Sequence, residues 1–367
     1  MTASAEQRVA SGGAQEAALP PGRVAVSCAA PLGAGGLGRH LQEILDALER
    51  NGSRGICICG SLDAAASPRS RPRARALTTL LGPALRLSPA WCAWAESVAF
   101  DADAARRLPA ADHLIAFNGQ ALAQLRAARR ARMQSVSLMS ANSHLRRVVR
   151  QHARAHRRYP LERSWATRLL RRNLAEYALA DRIYVSSRHA WESFVEEGVP
   201  EAALSLFPLT PAPRYMPAEQ PRAGGAFEIV YVGSLSVVKG VPLLIDAVRR
   251  LGHPDLRLVL VGGWGTRGMR RFVQQACAED PRIEVCPGDP LPRLRAAALC
   301  VHPSYEDGFG YAPAEAMACG VPVIVSEHTG MKDLIDPGRD GAILPTGDLD
   351  ALTTAIDAAY RGEILSG

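Results

Sequence analysis

The chain has 367 residues, 47% of them hydrophobic and 22% charged, which is ordinary globular usage and long enough for two domains with separate cores. Its net charge of +7 comes almost wholly from arginine, since lysine occurs only at Lys239 and Lys332; this balance permits an anionic partner without naming one. The sequence holds no run of about 18 apolar residues, so it predicts no membrane-spanning helix.

Two features of the composition concern the cellular setting. Residues 1–22 are rich in Ala, Gly and Ser and lack an apolar centre, which is typical of a disordered leader and not of a signal peptide. The eight cysteines form no Cys-x-x-Cys pair, and most lie in apolar runs. They therefore indicate buried thiols in a reducing compartment, not a metal site or disulfide framework, and we expect a cytoplasmic protein.

The N-terminal half alternates predicted strands and helices. It opens with a strand at 23–30, a glycine-rich turn at 31–38, an amphipathic helix at 39–52 and a strand at 55–60, whereas 61–89 gives no clear pattern. Apolar residues at helical spacing support the helix. Further strands are expected at HLIAFNG, SVSLMSA and RIYVSS, and further helices at 120–132, around 144–157, at 161–180 and over HAWESFVEEG.

The C-terminal half repeats this alternation more clearly. A stretch dense in Pro and Gly at 208–225 is predicted to be an interdomain linker. Beyond it, strands are expected at FEIVYVG, LRLVLVGG, RIEVCPG, LCVHPS and VPVIVSE, with helices after Lys239, Thr266, Pro290 and Pro313. The pattern predicts an α/β protein with two doubly wound parallel sheets, in domains at 23–207 and 226–367, with sites beyond the carboxyl ends of the strands.

The most informative stretch is HPSYEDGFGYAPAEAMACGVPVIVSEHTGMKDLI, at 302–335. Glu306 and Asp307 lie in a turn that follows a predicted strand, and Gly308 and Gly310 would let the backbone approach a ligand closely. The turn therefore indicates a binding loop that carries two carboxylates.

The residues after this turn predict the start of a helix. Pro313 suits a first-turn position, and amides at 310–314 would converge at a helix N-terminus, an arrangement that binds anions. Glu315, placed in the same first turn, could accept two hydrogen bonds from a vicinal diol such as a ribose. This combination predicts a site for a phosphate and a sugar together.

Two acidic residues with seven between them, followed by AMACGVPVI, resemble the retaining glycosyltransferases of family four, which have the GT-B fold of two Rossmann-like domains facing a central cleft. Asp307 and Glu315 have this spacing, although the first position is usually Glu, and Glu306 beside it could partly take that role. The resemblance implies that Glu315 holds the donor ribose and that Asp307 or Glu306 faces the sugar. The donor-binding residues that it implies in this stretch are Gly308, Phe309, Gly310, Tyr311, Ala312 and Glu315.

A second match is VGSLSVVKG, in which Lys239 follows a strand and a loop and opens a helix, where an ammonium can meet a diphosphate. In the resembling family this Lys binds the donor phosphates, usually together with an Arg in the same loop. Ser234 or Val238 stands where that Arg is expected, and Arg267 is a residue that could compensate.

Over the first domain the resemblance is more diffuse. It implies that Gly35, Gly36 and Gly38 face the donor phosphates and that His144 lies near the donor sugar and the acceptor. A structural role for His144 is the alternative, because a lone His near a strand end is often a buried structural residue. The acceptor is expected on this domain, and its candidate contacts are Asn118, Arg147 and Arg150.

Two charged patterns have competing interpretations. A basic stripe at helical spacing is either a solvated face or a contact for an anionic acceptor or membrane surface; its members are Arg146, Arg147, Arg150, Arg154, Arg157 and Arg158. Asp101 and Asp103 superficially match a metal-binding pair, but no strand directly precedes them. We interpret them as part of a solvated loop or helix, and we predict no metal.

These features together predict a retaining, metal-independent glycosyltransferase with a nucleoside diphosphate sugar as co-substrate and no other cofactor. The acceptor would be a sugar, a lipid-linked or a small-molecule hydroxyl in bacterial polysaccharide, glycolipid or natural-product glycosylation, with peripheral contact at the inner face of the membrane as one option. No aromatic interleaving supports nucleic-acid binding. A nucleotide-sugar epimerase and a non-catalytic sugar-nucleotide-binding subunit remain alternatives.

Overall fold

The computed structural model describes residues 19–60, 89–219 and 225–363. The chain forms two compact units. Among the described residues, the first unit contains 19–60, 89–149 and 163–209, and the second unit contains 150–162, 210–219 and 225–363. Most of the predicted leader and of the unassigned stretch at 61–89 lies outside the described residues. None of the described helices combines the length and apolar character needed to cross a membrane.

A six-stranded parallel sheet forms the centre of the first unit, with strand order β2-β1-β3-β4-β5-β6. Its middle strands are buried runs such as HLIAF, as expected of a parallel sheet covered on both faces. The strands are β1 (Arg23–Cys28), β2 (Arg54–Cys59), β3 (His113–Phe117), β4 (Ser135–Ser140), β5 (Arg182–Val185) and β6 (Leu204–Leu206).

Helices connect these strands. Most have one apolar face that packs on the sheet, as Leu41, Ile44 and Leu48 do on the first helix. The helices are α1 (Gly35–Arg50), α2 (Pro89–Arg106), α3 (Leu122–Arg130), α4 (Leu145–Arg158), α5 (Ala166–Tyr177) and α6 (Arg188–Glu196).

The second unit is built around another six-stranded parallel sheet, with strand order β12-β11-β10-β7-β8-β9. Its strands are β7 (Phe227–Val232), β8 (Leu256–Val261), β9 (Ile283–Val285), β10 (Leu299–His302), β11 (Val323–Ser326) and β12 (Gly341–Leu344). Its helices after Glu162 are α7 (Val241–Arg250), α8 (Arg267–Glu279), α9 (Leu291–Ala296), α10 (Tyr311–Ala318) and α11 (Leu349–Tyr360).

Each sheet has one point at which the strand order reverses. The chain runs from β1 out to β2 and then returns to place β3 on the other side of β1; in the second sheet it runs from β7 to β8 and β9 before β10 pairs with β7. Ligands of open α/β sheets bind at such points, outside the carboxyl ends of the strands. The topology therefore predicts ligand sites at the loops after β1 and β3 and at the loops after β7 and β10.

Some boundaries differ from the sequence-based expectations. The first helix begins at Gly35, four residues before the expected start, so Gly35, Gly36 and Gly38 belong to the helix and not to a preceding loop. The last residues assigned to the leader are ordered, since Leu19 is buried and its carbonyl accepts a hydrogen bond from Asn51 Nδ2. The short strands β6 and β12 were not predicted from the sequence.

The sequence predicted a single boundary between the domains, near the linker, but the two units are divided at more than one point of the chain. The sequence assigns Arg150–Glu162 to the first domain, but the structure groups this stretch with the second unit. Ala155 is fully buried in the core cluster of that unit, and Tyr159 donates its hydroxyl to Asp246 Oδ2 at 2.6 Å. The second unit is therefore discontinuous in sequence.

Candidate functional site

The loops that follow β7 and β10 bring two predicted site residues into direct contact. Lys239 Nζ lies 2.7 Å from Asp307 Oδ2 and 3.4 Å from the carbonyl oxygen of Glu306. Because β7 and β10 are neighbours at the point where strand order reverses, residues 68 positions apart in sequence meet at the same edge of the sheet. The side chains of Lys239 and Asp307 remain 25% and 19% exposed, so this ion pair is accessible to a ligand.

His302, the last residue of β10, is a third member of this cluster. Its Nε2 lies 2.9 Å from Asp307 Oδ2, and its ring stacks on Tyr231 with 5.9 Å between centroids. Burial opposes ionisation of the Asp307 carboxyl, but the Lys239 ammonium and the hydrogen bond from His302 outweigh it and hold the pKa of Asp307 well below its usual value. The carboxylate is therefore negatively charged at neutral pH.

The other two predicted acidic residues are buried beside this cluster. Glu306 is 4% exposed and Glu315 is 3% exposed. The helix that carries Glu315 begins at Tyr311, so Glu315 is its fifth residue and lies beyond the first turn. The expectation of a first-turn Glu315 was therefore wrong by about half a turn, because the helix begins two residues before Pro313.

Two glycines allow the loops of this cluster to approach each other. Gly240, with φ of 74°, would place a Cβ atom 2.0 Å from the carbonyl oxygen of Pro303. Gly310 precedes α10 in a left-handed conformation with φ of 92°, and a Cβ atom there would lie 2.8 Å from Thr329 Cγ2. Any side chain at either position would be strained and would separate the loops, so both glycines are required by the geometry of the site.

The remaining residues predicted to bind the donor lie around the same loops. Ser234 is exposed in the loop after β7, and its carbonyl oxygen accepts a hydrogen bond from Tyr231 at 2.8 Å. Phe309 is 6% exposed and packs edge-on against Tyr311, with ring centroids 5.3 Å apart. Gly308 is buried and Ala312 is half-buried. These residues belong to the second unit together with Lys239 and Asp307.

The predicted glycines of the first unit divide into two groups. Gly35 and Gly36 are exposed at the start of α1. Gly38 is buried, and a Cβ atom on it would meet the carbonyl oxygen of Pro31 at 2.0 Å. Gly38 therefore lets the helix pack against the preceding turn, whereas the amides of Gly35 and Gly36 lie at an exposed helix N-terminus, where anions are favoured.

His144 and Asn118 are brought close together by Tyr177. The ring of His144 lies 4.9 Å from that of Tyr177, and Asn118 Nδ2 donates to the Tyr177 hydroxyl at 3.3 Å. His144 is only 3% exposed, and its Nδ1 accepts a hydrogen bond from the backbone amide of Arg146 at 3.3 Å. The imidazole thus contacts the start of α4. Together with Asn118 and Tyr177 it also forms a cluster at the carboxyl ends of β3 and β4.

The arginine stripe is not a single solvated face. Arg147 is 9% exposed; it forms an ion pair with Glu196, and its Nη1 lies 3.5 Å from His189 Nδ1. This side chain is therefore held inside the first unit, which does not favour its predicted contact with the acceptor. Arg150 is exposed and lies in the second unit. The other exposed members are Arg146, Arg154, Arg157 and Arg158.

The interpretation of Asp101 and Asp103 as solvated residues was wrong. Both are buried on α2. Asp101 accepts hydrogen bonds from the amides of Ala123 at 2.6 Å and Gln124 at 3.0 Å and forms an ion pair with Arg172. The carboxylate of Asp101 therefore satisfies the amino end of α3, a structural function that becomes visible only when the two helices are packed.

Sequence reasoning did not single out two residues that the fold brings to the loops of the second unit. His302 could have been found, because it ends the strand directly before the acidic turn. Glu162 carries no local signal; its carboxylate accepts a hydrogen bond from the amide of Val237, 75 residues away in sequence.

Comparison with known protein families finds a match in the second unit. The sequence model of the family Glycosyl transferases group 1 matches residues 226–361. The chain is 33% identical over 133 residues to a D-inositol 3-phosphate glycosyltransferase of Corynebacterium jeikeium, an alignment that covers 33% of this chain and 32% of that protein. It is 31% identical over 138 residues to O-antigen chain mannosyltransferase B of Escherichia coli, covering 35% of each. The matched stretch thus spans about a third of the length of these curated relatives.

Solved structures resemble the chain over a larger share of its length. Sucrose-phosphate synthase from Thermosynechococcus elongatus matches 93% of this chain and 90% of its own, with a TM-score of 0.65 and 22% identity. An Anabaena protein, HepE, solved in complex with UDP and glucose, matches 92% of this chain and 90% of its own, with a TM-score of 0.66 and 17% identity. At these identities the likeness concerns the fold, and it confirms two Rossmann-like domains of the GT-B class.

Proposed function

We propose that the chain is a retaining glycosyltransferase that moves a sugar from a nucleoside diphosphate sugar to a hydroxyl acceptor, because residues 226–361 match the sequence model of the family Glycosyl transferases group 1. The observation that carries this proposal is the Lys239–Asp307 contact at the switch point between β7 and β10. An accessible ammonium beside an ionised carboxylate provides one group for a diphosphate and one for the hydroxyls of a sugar.

Lys239 stabilises the leaving group in the proposed reaction. Negative charge accumulates on the diphosphate as the bond from the sugar to the phosphate oxygen breaks, and a fixed ammonium in a partly dehydrated site lowers the energy of that state. The amides at the start of α10, which follows the left-handed Gly310, act in the same direction. Buried Glu315, on the same helix, is proposed to accept hydrogen bonds from the donor ribose.

Asp307 is assigned to the sugar and not to nucleophilic attack. Its Oδ2 atom is engaged by Lys239 and His302, so the carboxylate is oriented and charged and its nucleophilicity is lowered. We therefore propose same-face attack by the acceptor hydroxyl, with a donor phosphate oxygen accepting its proton. This mechanism retains the anomeric configuration and needs neither a covalent enzyme intermediate nor a metal ion, so EDTA should leave transfer unchanged.

The acceptor is proposed to bind the first unit. Asn118, Tyr177 and His144 form a polar and aromatic cluster beyond β3 and β4, and these groups suit a hydroxylated acceptor. Arg146, exposed on α4 in the first unit, supports an anionic acceptor, and the exposed Arg150 and Arg154 of the second unit support peripheral contact with the anionic inner face of a membrane. The proposed location is therefore the cytoplasm or its membrane surface.

Donor binding can be tested by a thermal-shift screen with UDP-, GDP-, ADP- and dTDP-sugars. We expect stabilisation by sugars of one nucleotide, which would identify the base. Lys239→Met should weaken that binding roughly 10- to 100-fold, because a hydrogen bond to a charged group contributes about 1.5–3 kcal/mol. Lys332→Met is the matched control, since its ammonium bonds instead to the carbonyl oxygen of Glu327. Equal loss in both variants, or no shift with any nucleotide, would contradict the proposed site.

Product analysis then separates this function from its two rivals. A glycosyltransferase forms a new glycoside and releases the nucleoside diphosphate, and NMR of the anomeric proton tests retention. An epimerase would return an altered sugar nucleotide without any acceptor. A non-catalytic subunit would bind the donor with ordinary affinity and neither transfer nor hydrolyse it.

A further inference from the structure

Glu162 lies in a stretch from the first half of the chain that is anchored on the second unit. Three contacts hold this stretch independently of Glu162. Ala155 is buried in the core of the unit, Tyr159 donates to Asp246 at 2.6 Å, and Arg158 Nη1 donates to the carbonyl oxygen of Gly347 at 2.7 Å. The backbone position of Glu162 is therefore fixed by contacts of neighbouring residues and does not depend on the bonds of its own side chain.

The carboxylate of Glu162 bridges the loops that follow β7 and β8. Its Oε1 accepts a hydrogen bond from the amide of Val237 at 2.8 Å, and the amide of Val238 also bonds to the carboxylate. Its Oε2 accepts from Thr266 Oγ1 at 3.2 Å, and Thr266 in turn caps α8. Burial raises the pKa of Glu162 and the backbone hydrogen bonds lower it, with a net rise.

The same loop is held from its other side by the loop after β10. The carbonyl oxygen of Val238 accepts hydrogen bonds from the amide of Tyr305 at 2.8 Å and from Ser304 Oγ at 3.3 Å. The peptide groups of Val237 and Val238 are thus fixed on both sides, and the next residue is Lys239. Bonds to the main chain restrict the dihedral angles that aim the lysine side chain.

We infer that Glu162 is a positioning residue for the donor diphosphate, because its carboxylate fixes the backbone that directs Lys239. This inference rests on the proposed function and extends it: the donor site includes an element outside the 226–361 segment matched by the family. Glu162 does not touch the donor. It acts through the backbone amides of Val237 and Val238. Without the carboxylate these amides lose their hydrogen-bond acceptor, and the side chain of Lys239, the next residue, is less well positioned.

The test compares Glu162→Ala with Glu162→Gln in the full chain. The probe is the nucleoside diphosphate that stabilises the wild-type protein most, titrated by calorimetry. Glu162→Ala should weaken binding roughly ten-fold, and Glu162→Gln should recover part of the loss, since its amide oxygen can still accept from Val237. In steady-state kinetics, KM for the donor sugar should rise more than kcat falls. Glu279→Ala removes an exposed carboxylate from the same unit and should change nothing.

Two further measurements distinguish positioning from general loss of structure. In nucleotide-free protein, hydrogen exchange at Val237 and Val238 should accelerate in Glu162→Ala. In a Lys239→Met background, Glu162→Ala should reduce affinity less than two-fold, because its effect passes through the missing ammonium. Tyr159→Phe removes one of the three anchors of the stretch but leaves the bonds of Glu162 in place, so it should lower stability and keep nucleotide affinity.

The outcomes separate this inference from the function on which it rests. If wild-type protein binds no nucleoside diphosphate, the proposed function fails and the inference fails with it. If Lys239→Met abolishes binding while Glu162→Ala binds as tightly as wild type, only the inference fails. Unchanged amide exchange, or a loss in Tyr159→Phe equal to that in Glu162→Ala, would also overturn it.

Discussion

A charged cluster around Arg172 in the first unit and one around Lys239 in the second unit differ in what satisfies their carboxylates. In the first unit, Arg172 lies between Asp101 and Glu176, whose side chains are fully buried. Glu176 accepts hydrogen bonds from the amides of Gly119 at 2.5 Å and Ala121 at 3.0 Å, and the amide of Leu122 adds a third at 3.1 Å. These bonds fix the turn between β3 and α3, so this cluster stabilises the fold.

In the second unit, Lys239 contacts Asp307, and His302 contacts the same carboxylate oxygen. The donors that these bonds bring to Asp307 are side chains and not backbone amides, and both members of the ion pair are partly exposed. Water or a ligand can therefore replace the partner of Lys239 at moderate cost. The structural cluster is thus fully buried, and its carboxylates bond to backbone amides. The cluster that can bind a ligand is partly exposed, and its carboxylate bonds to side chains.

The largest effect should come from breaking the buried cluster. Arg172→Met leaves two buried carboxylates without their cation, which should cost about 3–5 kcal/mol of unfolding free energy. Lys239→Met leaves a carboxylate that water can reach and should cost less than about 1 kcal/mol. Urea unfolding measures both, with Arg171→Met, exposed on the same helix, as a control. A comparable loss in the two variants would remove the distinction drawn between the clusters.

A smaller effect should appear in the pH dependence, with opposite sign in the two units. Burial, followed by the nearby His156 and Lys239, lowers the pKa of His152 from 6.5 to about 3, so its contribution to stability is present above pH 6.5 and is lost as the pH falls. Burial raises the pKa of Glu176 from 4.5 to about 7, so its contribution is present below pH 4.5 and is lost as the pH rises through 7.

Between pH 7 and 5, each group should therefore change the unfolding free energy by about 2 kcal/mol, in opposite directions. The measurement is the difference between wild-type protein and each of His152→Leu and Glu176→Gln across this range. That difference should shrink on acidification for His152→Leu and grow for Glu176→Gln. For Glu192→Gln, at an exposed position, the difference from wild type should not change with pH. If the difference changed in the same direction for His152→Leu and Glu176→Gln, the assignment would be wrong.

The smallest effect should be a gain in nucleotide affinity when Asp307 loses its charge. In Asp307→Asn, Lys239 is no longer held by a carboxylate, and the diphosphate no longer faces a like charge. We expect nucleoside diphosphate alone to bind about three- to five-fold more tightly, while sugar transfer falls. Calorimetry with Asp336→Asn as the control tests this. Weaker binding in Asp307→Asn would mean that the carboxylate orients Lys239 for the phosphate and does not compete with it.

Much of the fold followed from the sequence because its signals are local. Runs such as LRLVLV and HLIAF read as buried strands, and glycine and proline mark the connections between elements. The order of strands and helices in the second half was therefore predictable. The short strands β6 and β12 were missed, whereas the equally short β9, β10 and β11 were predicted, so length alone does not explain the difference.

The candidate site was predictable where one motif carried it. Asp307, Glu315 and Lys239 were identified because their spacing matches a family pattern, and the switch point explains why Lys239 and Asp307 meet. Asp101 was misread as a solvated residue, and Arg147 was interpreted as part of a solvated face or as an anion contact, although both are buried in ion pairs. Their partners, Arg172 and Glu196, lie far along the chain, and no local pattern indicates which distant charge a side chain will meet.

The sequence by itself determined two α/β domains, the glycine positions of the binding loops and the acidic and basic residues in the loops that follow β7 and β10. Only the tertiary structure decided that Arg150–Glu162 joins the second unit and that Glu162 bonds to the loop before Lys239. The physical reason is that secondary structure follows from periodicities a few residues long. The partner of a buried charge depends instead on which distant elements pack together, because a carboxylate is buried only where donors surround it.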